Sequence, residues 1–167
     1  EDEGIQSVTV HGRTRAQGYK GDADWEVIAN CAQAVRIPVI GNGDLWTGAD
    51  IQHRRKTSGV SGVMIGRAAM QYPWIFRDAQ HYLATGSPLP PVPVQERWEL
   101  IVRHCRLAIR SGRYGNERQT MMAMRSRLMA YCKGFPGAKP LRQTLTTVSS
   151  LAEIEDLAAS HLAEAGR

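Results

Sequence analysis

Cysteine is scarce in this chain. Of its 167 residues three are cysteines, Cys31, Cys105 and Cys132, and they lie far apart without any C-x-x-C pair. An odd number of cysteines without paired spacing argues against a disulfide framework and against a zinc site. We therefore expect no metal, and three free thiols in a protein of the reducing cytoplasm.

Long apolar runs are absent as well. No stretch approaches the roughly 20 apolar residues that a membrane-spanning helix needs, so we expect no membrane partner. Hydrophobic residues nevertheless make up 43% of the chain, which is ample for a folded core. The composition therefore indicates a globular protein.

Acidic residues are few between residues 98 and 142. Only Glu99 and Glu117 occur there, and the net charge of the whole chain is +5. Ten basic residues occupy the same stretch: Arg103, Arg106, Arg110, Arg113, Arg118, Arg125, Arg127, Lys133, Lys139 and Arg142. This excess favours a polyanionic partner such as a nucleic acid, the alternative being a merely solvated face. Because the chain has no RRM, KH or zinc-finger pattern, we expect recognition of RNA backbone and shape.

Short apolar segments alternate with helical segments in the first half of the chain. The predicted strands are residues 7–11, 38–41 and 61–65. The continuous Val/Ile content of the second and third favours strands buried on both faces. The predicted helices are residues 25–35, 47–56, 67–70 and 73–83, with Asp24 and Thr47 as N-caps of the first two. This alternation indicates a parallel α/β array.

A Pro-rich segment, residues 86–93, separates two predicted domains, residues 1–85 and 94–167. Beyond it, apolar residues recur at helical spacing. Helices are predicted at residues 117–133 and 138–145, and a capping box from Ser150 to Glu153 opens the last helix. The second domain is therefore predicted to be a small helical bundle.

Each predicted strand of the first domain ends in glycine and polar residues. His11-Gly12-Arg13-Thr14 follows the first strand, Asn42-Gly43-Asp44 the second and Gly66-Arg67 the third. Glycine lets a backbone approach a ligand, and arginine is well suited to hold phosphate. The last two strands of a (β/α)8 barrel often bind phosphate in this way. We interpret the fold as α/β followed by all-α: the last three β/α units of a TIM barrel and a C-terminal helical bundle.

Five segments of the chain carry a family resemblance. They are residues 8–15 (VTVHGRTR), 37–44 (IPVIGNGD), 62–69 (GVMIGRAA), 73–76 (PWIF) and 133–138 (KGFPGA). In this order they resemble the tRNA-dihydrouridine synthases, in particular the bacterial B- and C-type branches, and they extend over nearly the whole chain.

The resemblance implies an FMN-binding barrel followed by a helical tRNA-binding domain. In that family NADPH reduces FMN, the flavin delivers hydride to C6 of a D-loop uridine, and a cysteine protonates C5 to give 5,6-dihydrouridine. Carried onto this chain, the resemblance assigns cofactor binding to six residues: His11 at the flavin, and Asn42, Gly43, Asp44, Gly66 and Arg67 at its ribityl-phosphate side. It assigns RNA binding to Arg13 and Tyr19 at the barrel mouth and to Arg125 and Arg127 in the helical domain.

The chain begins without methionine and supplies three predicted barrel strands, so we expect it to be the C-terminal part of a longer protein. The family's proton-donating cysteine and flavin-binding lysine belong to the other half of the barrel. No catalytic residue is therefore assigned here, and the fragment alone is expected to be inactive and to bind FMN poorly.

Two other interpretations stay open: a TIM-barrel oxidoreductase that binds FMN or phosphate and acts on a small metabolite, and a non-catalytic RNA-binding module. The target uridine is open too. Gln17-Gly18-Tyr19 resembles the branch that modifies U16, whereas residues 133–138 resemble the B-type branch.

Overall fold

The computed structural model describes residues 2–165, with side chains up to residue 164. Over that range the protein contains three strands and eight helices. It separates into two compact units, one ending at Pro90 and the other beginning at Pro91. The division falls within the Pro-rich segment.

The first unit is built on a three-stranded parallel sheet. Its strands are β1 (Val8–His11), β2 (Val39–Asn42) and β3 (Gly62–Met64), in the order β1-β2-β3. The predicted parallel α/β arrangement is confirmed. His11 lies opposite Asn42, and Asn42 opposite Met64, so these three residues form one row at the carboxyl end of the sheet.

Four helices follow the strands of the first unit: α1 (Trp25–Ala34), α2 (Gly48–Ser58), α3 (Arg67–Gln71) and α4 (Ile75–Thr85). Both predicted N-caps are confirmed. The Asp24 carboxylate accepts hydrogen bonds from the amides of Glu26 (3.0 Å) and Val27 (3.1 Å). Thr47 and Asp50 form a complete capping box at the start of α2, which satisfies amides that the helix itself cannot pair.

The core of the first unit lies on one face of the sheet. Ile28, Val39 and Ile51 are at most 2% exposed, and the register places Val10 and Val63 on the same face as Val39. The prediction that the second and third strands are buried on both faces is wrong. β2 alternates buried and half-buried residues, and Met64 of β3 is 48% exposed. The reason is that the described helices pack against only one face, and that β1 and β3 are the edges of the described sheet.

The second unit consists of helices α5 (Val94–Ser111), α6 (Glu117–Tyr131), α7 (Ala138–Leu145) and α8 (Leu151–Ala165). The predicted bounds of α7 agree with the structure. Trp98, Ile101, Met121, Leu128 and Ile154 are each at most 1% exposed and form a single core. Burial of this kind contributes about 1.5–3 kcal/mol for each large apolar side chain, so the apolar stripes hold the bundle together.

α8 begins directly after Ser150, as predicted, but only half of the predicted capping box forms. The Glu153 amide lies 3.3 Å from Ser150 Oγ, as predicted. The Glu153 carboxylate, however, accepts from the amide and the hydroxyl of Ser149, both at 2.9 Å. Ser149 offers two donors to one carboxylate, whereas the Ser150 amide would offer one.

Aromatic stacking fixes the segment between α6 and α7. Phe135 is 4% exposed, its ring centroid lies 5.4 Å from that of His161, and the Arg97 guanidinium carbon lies 4.2 Å from the Phe135 centroid. Trp98 Nε1 donates to His161 Nδ1 at 3.1 Å. The ring proton of neutral His161 therefore sits on Nε2, which lies 2.8 Å from the carbonyl oxygen of Pro136.

Within residues 2–165, no helix combines the length and the apolar character that crossing a membrane requires.

Candidate functional site

The carboxyl ends of the three strands border one cavity of about 340 Å³. Its lining includes Tyr19 and all six residues predicted to bind the cofactor: His11, Asn42, Gly43, Asp44, Gly66 and Arg67. Parallel strands explain this convergence, because the residues that follow them emerge at the same edge of a sheet. The structure brings the six residues together, and their binding of a cofactor stays a prediction.

His11 is oriented by a hydrogen-bond chain across the sheet. Its Nδ1 lies 2.6 Å from Asn42 Oδ1, and Asn42 Nδ2 donates to the Met64 carbonyl at 2.5 Å. Since the Asn42 nitrogen is taken by that carbonyl, its oxygen accepts the Nδ1 proton of His11. Nε2 is then the ring atom that His11 can offer to a ligand.

Asp44 links two arginines at the turn after β2. Its Oδ2 accepts from Arg13 Nη2 (2.6 Å) and from the Ala23 amide (2.7 Å), and its Oδ1 accepts from Arg67 Nη2 (2.7 Å). Burial raises the pKa of Asp44, but the hydrogen bonds from Arg13 and Ala23 and the charges of both arginines outweigh it. The pKa of this carboxyl therefore lies below its ordinary value. Asp44 is ionised at neutral pH, and its ion pairs are lost only as the pH falls through that lowered pKa.

Arg67 lies between two aromatic rings at the rim of the cavity. Its guanidinium carbon is 4.5 Å from the ring centroid of Tyr19 and 5.3 Å from that of Trp46, distances typical of cation–π contacts. Tyr19 is 73% exposed and Trp46 is 43% exposed. Trp46 escaped the sequence reasoning, although its position two residues after Asp44 in a strand-end loop was a usable signal.

The glycines around the cavity differ in what surrounds the position of their missing Cβ. A Cβ on Gly41 would lie 2.6 Å from Cζ3 of Trp25, and a Cβ on Gly43 would collide with that of Ala23. Gly43 also has φ +141° and accepts a hydrogen bond from Trp25 Nε1 at 3.0 Å. These two glycines therefore let the segment before and at the start of α1 pack against β2. At Gly66 a Cβ would meet nothing within 4 Å, so that glycine borders open space.

Arg13 does not face solvent, contrary to the prediction that it contacts RNA at the barrel mouth. Its side chain is 3% exposed. Besides the bond to Asp44, it donates to the carbonyls of Lys20 (3.3 Å) and Gly21 (2.5 Å). The reason is that the loop between β1 and α1 folds over the guanidinium and supplies its acceptors.

The two arginines predicted to bind RNA in the second unit have different surroundings. Arg125 donates through Nε and Nη2 to the Val148 carbonyl (3.0 and 2.8 Å), and through Nη2 to the Thr147 carbonyl (3.0 Å). Its guanidinium therefore secures the connection between α7 and α8. Among the described residues, Arg127 makes a single long contact, 3.4 Å from Nη1 to the hydroxyl of Tyr114.

A second cavity, of about 390 Å³, lies beside Arg127. Arg113, Tyr114 and His104 also line it. His104 Nδ1 lies 3.0 Å from the Tyr131 hydroxyl. Burial, and to a lesser extent the charge of Arg127, lower the pKa of His104, so the two arginines supply the positive charge at neutral pH. Arg113 belongs to the basic stretch found in the sequence, whereas nothing in the sequence singled out His104.

Among the described residues, no three His, Cys, Asp or Glu side chains come together as a metal site. Cys105 and Cys132 are buried, and burial raises the pKa of both thiols to about 12. For Cys132 the charges of Arg97 and Arg142 act in the opposite direction to a smaller extent. Both side chains are therefore protonated packing residues.

Comparison with known proteins agrees with the resemblance seen in the sequence. A family model described as Dihydrouridine synthase (Dus) matches residues 1–165. The chain is 35% identical over 156 residues to "Probable tRNA-dihydrouridine synthase" of Rickettsia bellii (strain RML369-C), covering 93% of the chain and 47% of that protein. It is 42% identical over 142 residues to "tRNA-dihydrouridine synthase B" of Pseudomonas aeruginosa, covering 85% and 42% respectively.

A third relative, "Probable tRNA-dihydrouridine synthase" of Mycobacterium tuberculosis (strain ATCC 25618 / H37Rv), is 39% identical over 159 residues, which are 94% of the chain and 40% of that protein. The chain spans less than half the length of each of these three relatives. Because the family model matches all but the last residues, the chain belongs to the dihydrouridine synthase family.

Proposed function

We propose that this chain is the phosphate-holding and RNA-binding part of an enzyme that reduces uridine to 5,6-dihydrouridine in the D-loop of tRNA. The observation that carries the proposal is the convergence of His11, Asn42, Asp44 and Arg67 on one cavity, in a chain of the dihydrouridine synthase family. The names of the three relatives support tRNA as the substrate.

The fold that we propose for the first unit is the last three β/α units of a TIM barrel. Parallel strands in sequential order support it, as does a sheet with helices packed on one face only. In a barrel the other face is the interior. His11 and Asn42 lie on that face, at the carboxyl end, where barrel enzymes carry their active sites.

FMN is the cofactor that we propose, with its phosphate at Arg67. The donor set of the cavity fits a phosphate monoester, because Arg67 brings a guanidinium on a side chain that is 35% exposed and Gly66 leaves the adjoining space open. His11 would meet the flavin through Nε2, as an acceptor when the ring is neutral and as a donor when it is protonated. Bound FMN would supply the hydride-transfer chemistry, with NADPH as its reductant.

The RNA contacts that we propose are Tyr19 in the first unit and Arg127 in the second. Tyr19 is exposed on the rim of the first cavity, and Arg127 lines the second cavity together with Arg113 and Tyr114. Guanidinium groups beside an aromatic ring suit an RNA phosphate and an unstacked base. If these contacts are made, the affinity for tRNA should fall at least about tenfold between 50 and 200 mM salt.

The test is a map of modified positions in tRNA from cells that lack the gene, read by mass spectrometry of tRNA fragments. We expect one D-loop site to change from dihydrouridine to uridine, and the unmodified gene to restore it. A gene carrying Arg67→Ala should restore it poorly, whereas Arg15→Ala, at an exposed position of the same unit, should restore it fully.

Dihydrouridine retained at every site of the deletion strain would contradict the proposal. In that case a barrel oxidoreductase acting on a small metabolite would explain the first cavity better. Restoration by Arg67→Ala as complete as by the unmodified gene would contradict the assignment of the phosphate to Arg67. The proposal places the reaction in the cytoplasm, where tRNA is found.

A further inference from the structure

The first unit buries a charged side chain that the proposed chemistry does not use. Arg13 is 3% exposed and does not line the cavity, yet it makes an ion pair of 2.6 Å with Asp44, which does. Its Nη1 is buried without a hydrogen-bond partner among the described atoms. Burying an arginine with an unsatisfied N–H costs free energy, which its ion pair and its other hydrogen bonds have to offset.

The second oxygen of the Asp44 carboxylate indicates what the buried charge of Arg13 does. Oδ1 of Asp44 accepts from Arg67, the arginine that lies on the cavity wall. One carboxylate therefore stands between two guanidinium groups, Arg13 on the buried side and Arg67 on the cavity side. The three charges add up to +1. Without Arg13, the charges of Asp44 and Arg67 would cancel, and the cavity wall would lose its net positive charge.

We propose that Arg13 is a positioning residue. Its buried positive charge offsets the negative charge of Asp44. Asp44 can therefore hold the Arg67 guanidinium in place while the cavity wall keeps a net positive charge that attracts a phosphate monoester. The inference rests on the proposed function, because it takes the phosphate of FMN as the ligand of Arg67. It replaces the expectation that Arg13 contacts RNA.

Three further contacts support this arrangement. The Ala23 amide and Arg13 share Oδ2 of Asp44, so Oδ1 alone is directed to Arg67. The rings of Tyr19 and Trp46 then confine the Arg67 guanidinium from two sides. Among the described residues, Arg67 is thus held by one hydrogen bond and two aromatic contacts, which leave other guanidinium N–H groups for an anion.

The experiment compares two ligands that differ only in the phosphate. Affinities for FMN and for riboflavin are measured by quenching of flavin fluorescence, with the whole gene product that contains this chain, freed of cofactor. The variants are Arg13→Met, which keeps the volume and removes the charge, Arg13→Lys, which keeps the charge, and the double variant Arg13→Met with Asp44→Asn. Arg15→Met is the matched control, because Arg15 is exposed two residues away.

We expect Arg13→Met to lower the preference for FMN over riboflavin by about tenfold or more, since a nearby charge alters ligand binding on that scale. Riboflavin affinity itself should change little. Arg13→Lys and Arg15→Met should keep the preference. The double variant should regain most of it, because Arg67 is then opposed by no carboxylate. Loss of FMN and riboflavin affinity in equal proportion would reflect a damaged pocket and would overturn the inference.

An unchanged preference in Arg13→Met would also overturn it, as would a preference lost in Arg13→Lys as fully as in Arg13→Met. If Arg13→Met does not fold, the double variant decides, because it removes the buried arginine and its carboxylate partner together and leaves only the partly exposed charge of Arg67. A preference near that of the unmodified protein supports the inference, and a tenfold loss refutes it. If the unmodified protein binds neither flavin, the proposed function fails and the inference fails with it. If it prefers FMN, a failure of the variants concerns the inference alone.

Discussion

At the scale of single residues, the arginines of this protein differ by what their guanidinium groups touch. Arg13 and Arg125 donate to backbone carbonyls inside their own units. Arg67 and Arg127 instead line cavities. All four carry the same charge, so only the positions of their acceptors separate arginines that hold the fold from arginines that can meet an anion.

This difference predicts that two alanine variants of α6 affect different properties, one the stability and the other the affinity for tRNA. Arg125→Ala should lower the free energy of unfolding by about 1–3 kcal/mol, because the carbonyls of Thr147 and Val148 lose a charged donor. Arg127→Ala should change it by less than about 1 kcal/mol, while weakening the affinity for tRNA. Urea unfolding followed by circular dichroism measures the first quantity, and filter binding of folded tRNA measures the second.

Equal losses of stability in the two variants would show that the contacts of Arg125 with Thr147 and Val148 do not stabilise the fold. Unchanged tRNA affinity in Arg127→Ala would refute the proposed role of that residue. The variant Arg118→Ala, at an exposed position of the same helix, controls for the loss of one positive charge.

Two glycines with positive φ provide a second comparison. Gly43 has φ +141° and its missing Cβ would collide with Ala23, whereas Gly18 has φ +55° and a Cβ there would meet nothing within 4 Å. Gly43→Ala should therefore lower the free energy of unfolding by more than about 2 kcal/mol, since strain and overpacking add. Gly18→Ala should cost about 1 kcal/mol, from the backbone alone. Urea unfolding of both variants checks the order, and equal costs would contradict it.

At the scale of elements, α2 shows how a mostly polar helix is kept in place. Of its eleven residues, Gly48, Ile51 and Ser58 are buried. A Cβ on Gly48 would lie 2.5 Å from that of Tyr82 on α4, so glycine is what allows this close approach. The capping box of Thr47 and Asp50 fixes the start of the helix, directly after the loop that carries Asp44 and Trp46.

Thr47→Ala should consequently lower the free energy of unfolding by about 1 kcal/mol, because the Asp50 amide loses its side-chain acceptor. Thr57→Ala in the last turn of the same helix is the control. The Thr57 hydroxyl donates to the His53 carbonyl within the helix. The helix does not depend on this additional bond, so we expect a change in the free energy of unfolding below about 0.5 kcal/mol. Thermal unfolding of the two variants side by side gives the comparison. A cost of Thr57→Ala as large as that of Thr47→Ala would contradict it.

The elements also show what sequence can and cannot predict. The caps Asp24 and Thr47 and the bounds of α7 followed from the sequence because their signals are local. The start of α8 also followed from the sequence, but the partner of the Glu153 carboxylate did not, because Ser149 offers it two donors where the Ser150 amide would offer one. The burial of Arg13 and the stacking of Phe135 on His161 depend on segments that are distant in the chain, so no local sequence pattern predicts them.

At the scale of the whole molecule, the cysteines are divided between the two units. Cys31 lies half-buried in the first, while Cys105 and Cys132 lie buried in the second. With thiol pKa values of about 12, Cys105 and Cys132 are almost entirely protonated at pH 8, and a raised pKa means that thiolate appears only as the pH rises toward it.

Iodoacetamide at pH 8 should therefore modify Cys31 well before the other two, with a difference of at least about tenfold in rate. Peptide mass spectrometry at successive times gives the three rates. In concentrated urea all three rates should become similar. Fast modification of Cys105 or Cys132 in the folded protein would show that the second unit opens more readily than its core packing indicates.

The left-handed backbone of Asp44, with φ +48°, has a consequence for how this protein can diverge. Asparagine tolerates such a backbone but cannot pair with two guanidinium groups, and glutamate can pair with them but is strained there. A substitution of Asp44 is therefore tolerated only together with a substitution of Arg13. We expect these two positions to covary during evolution of the gene.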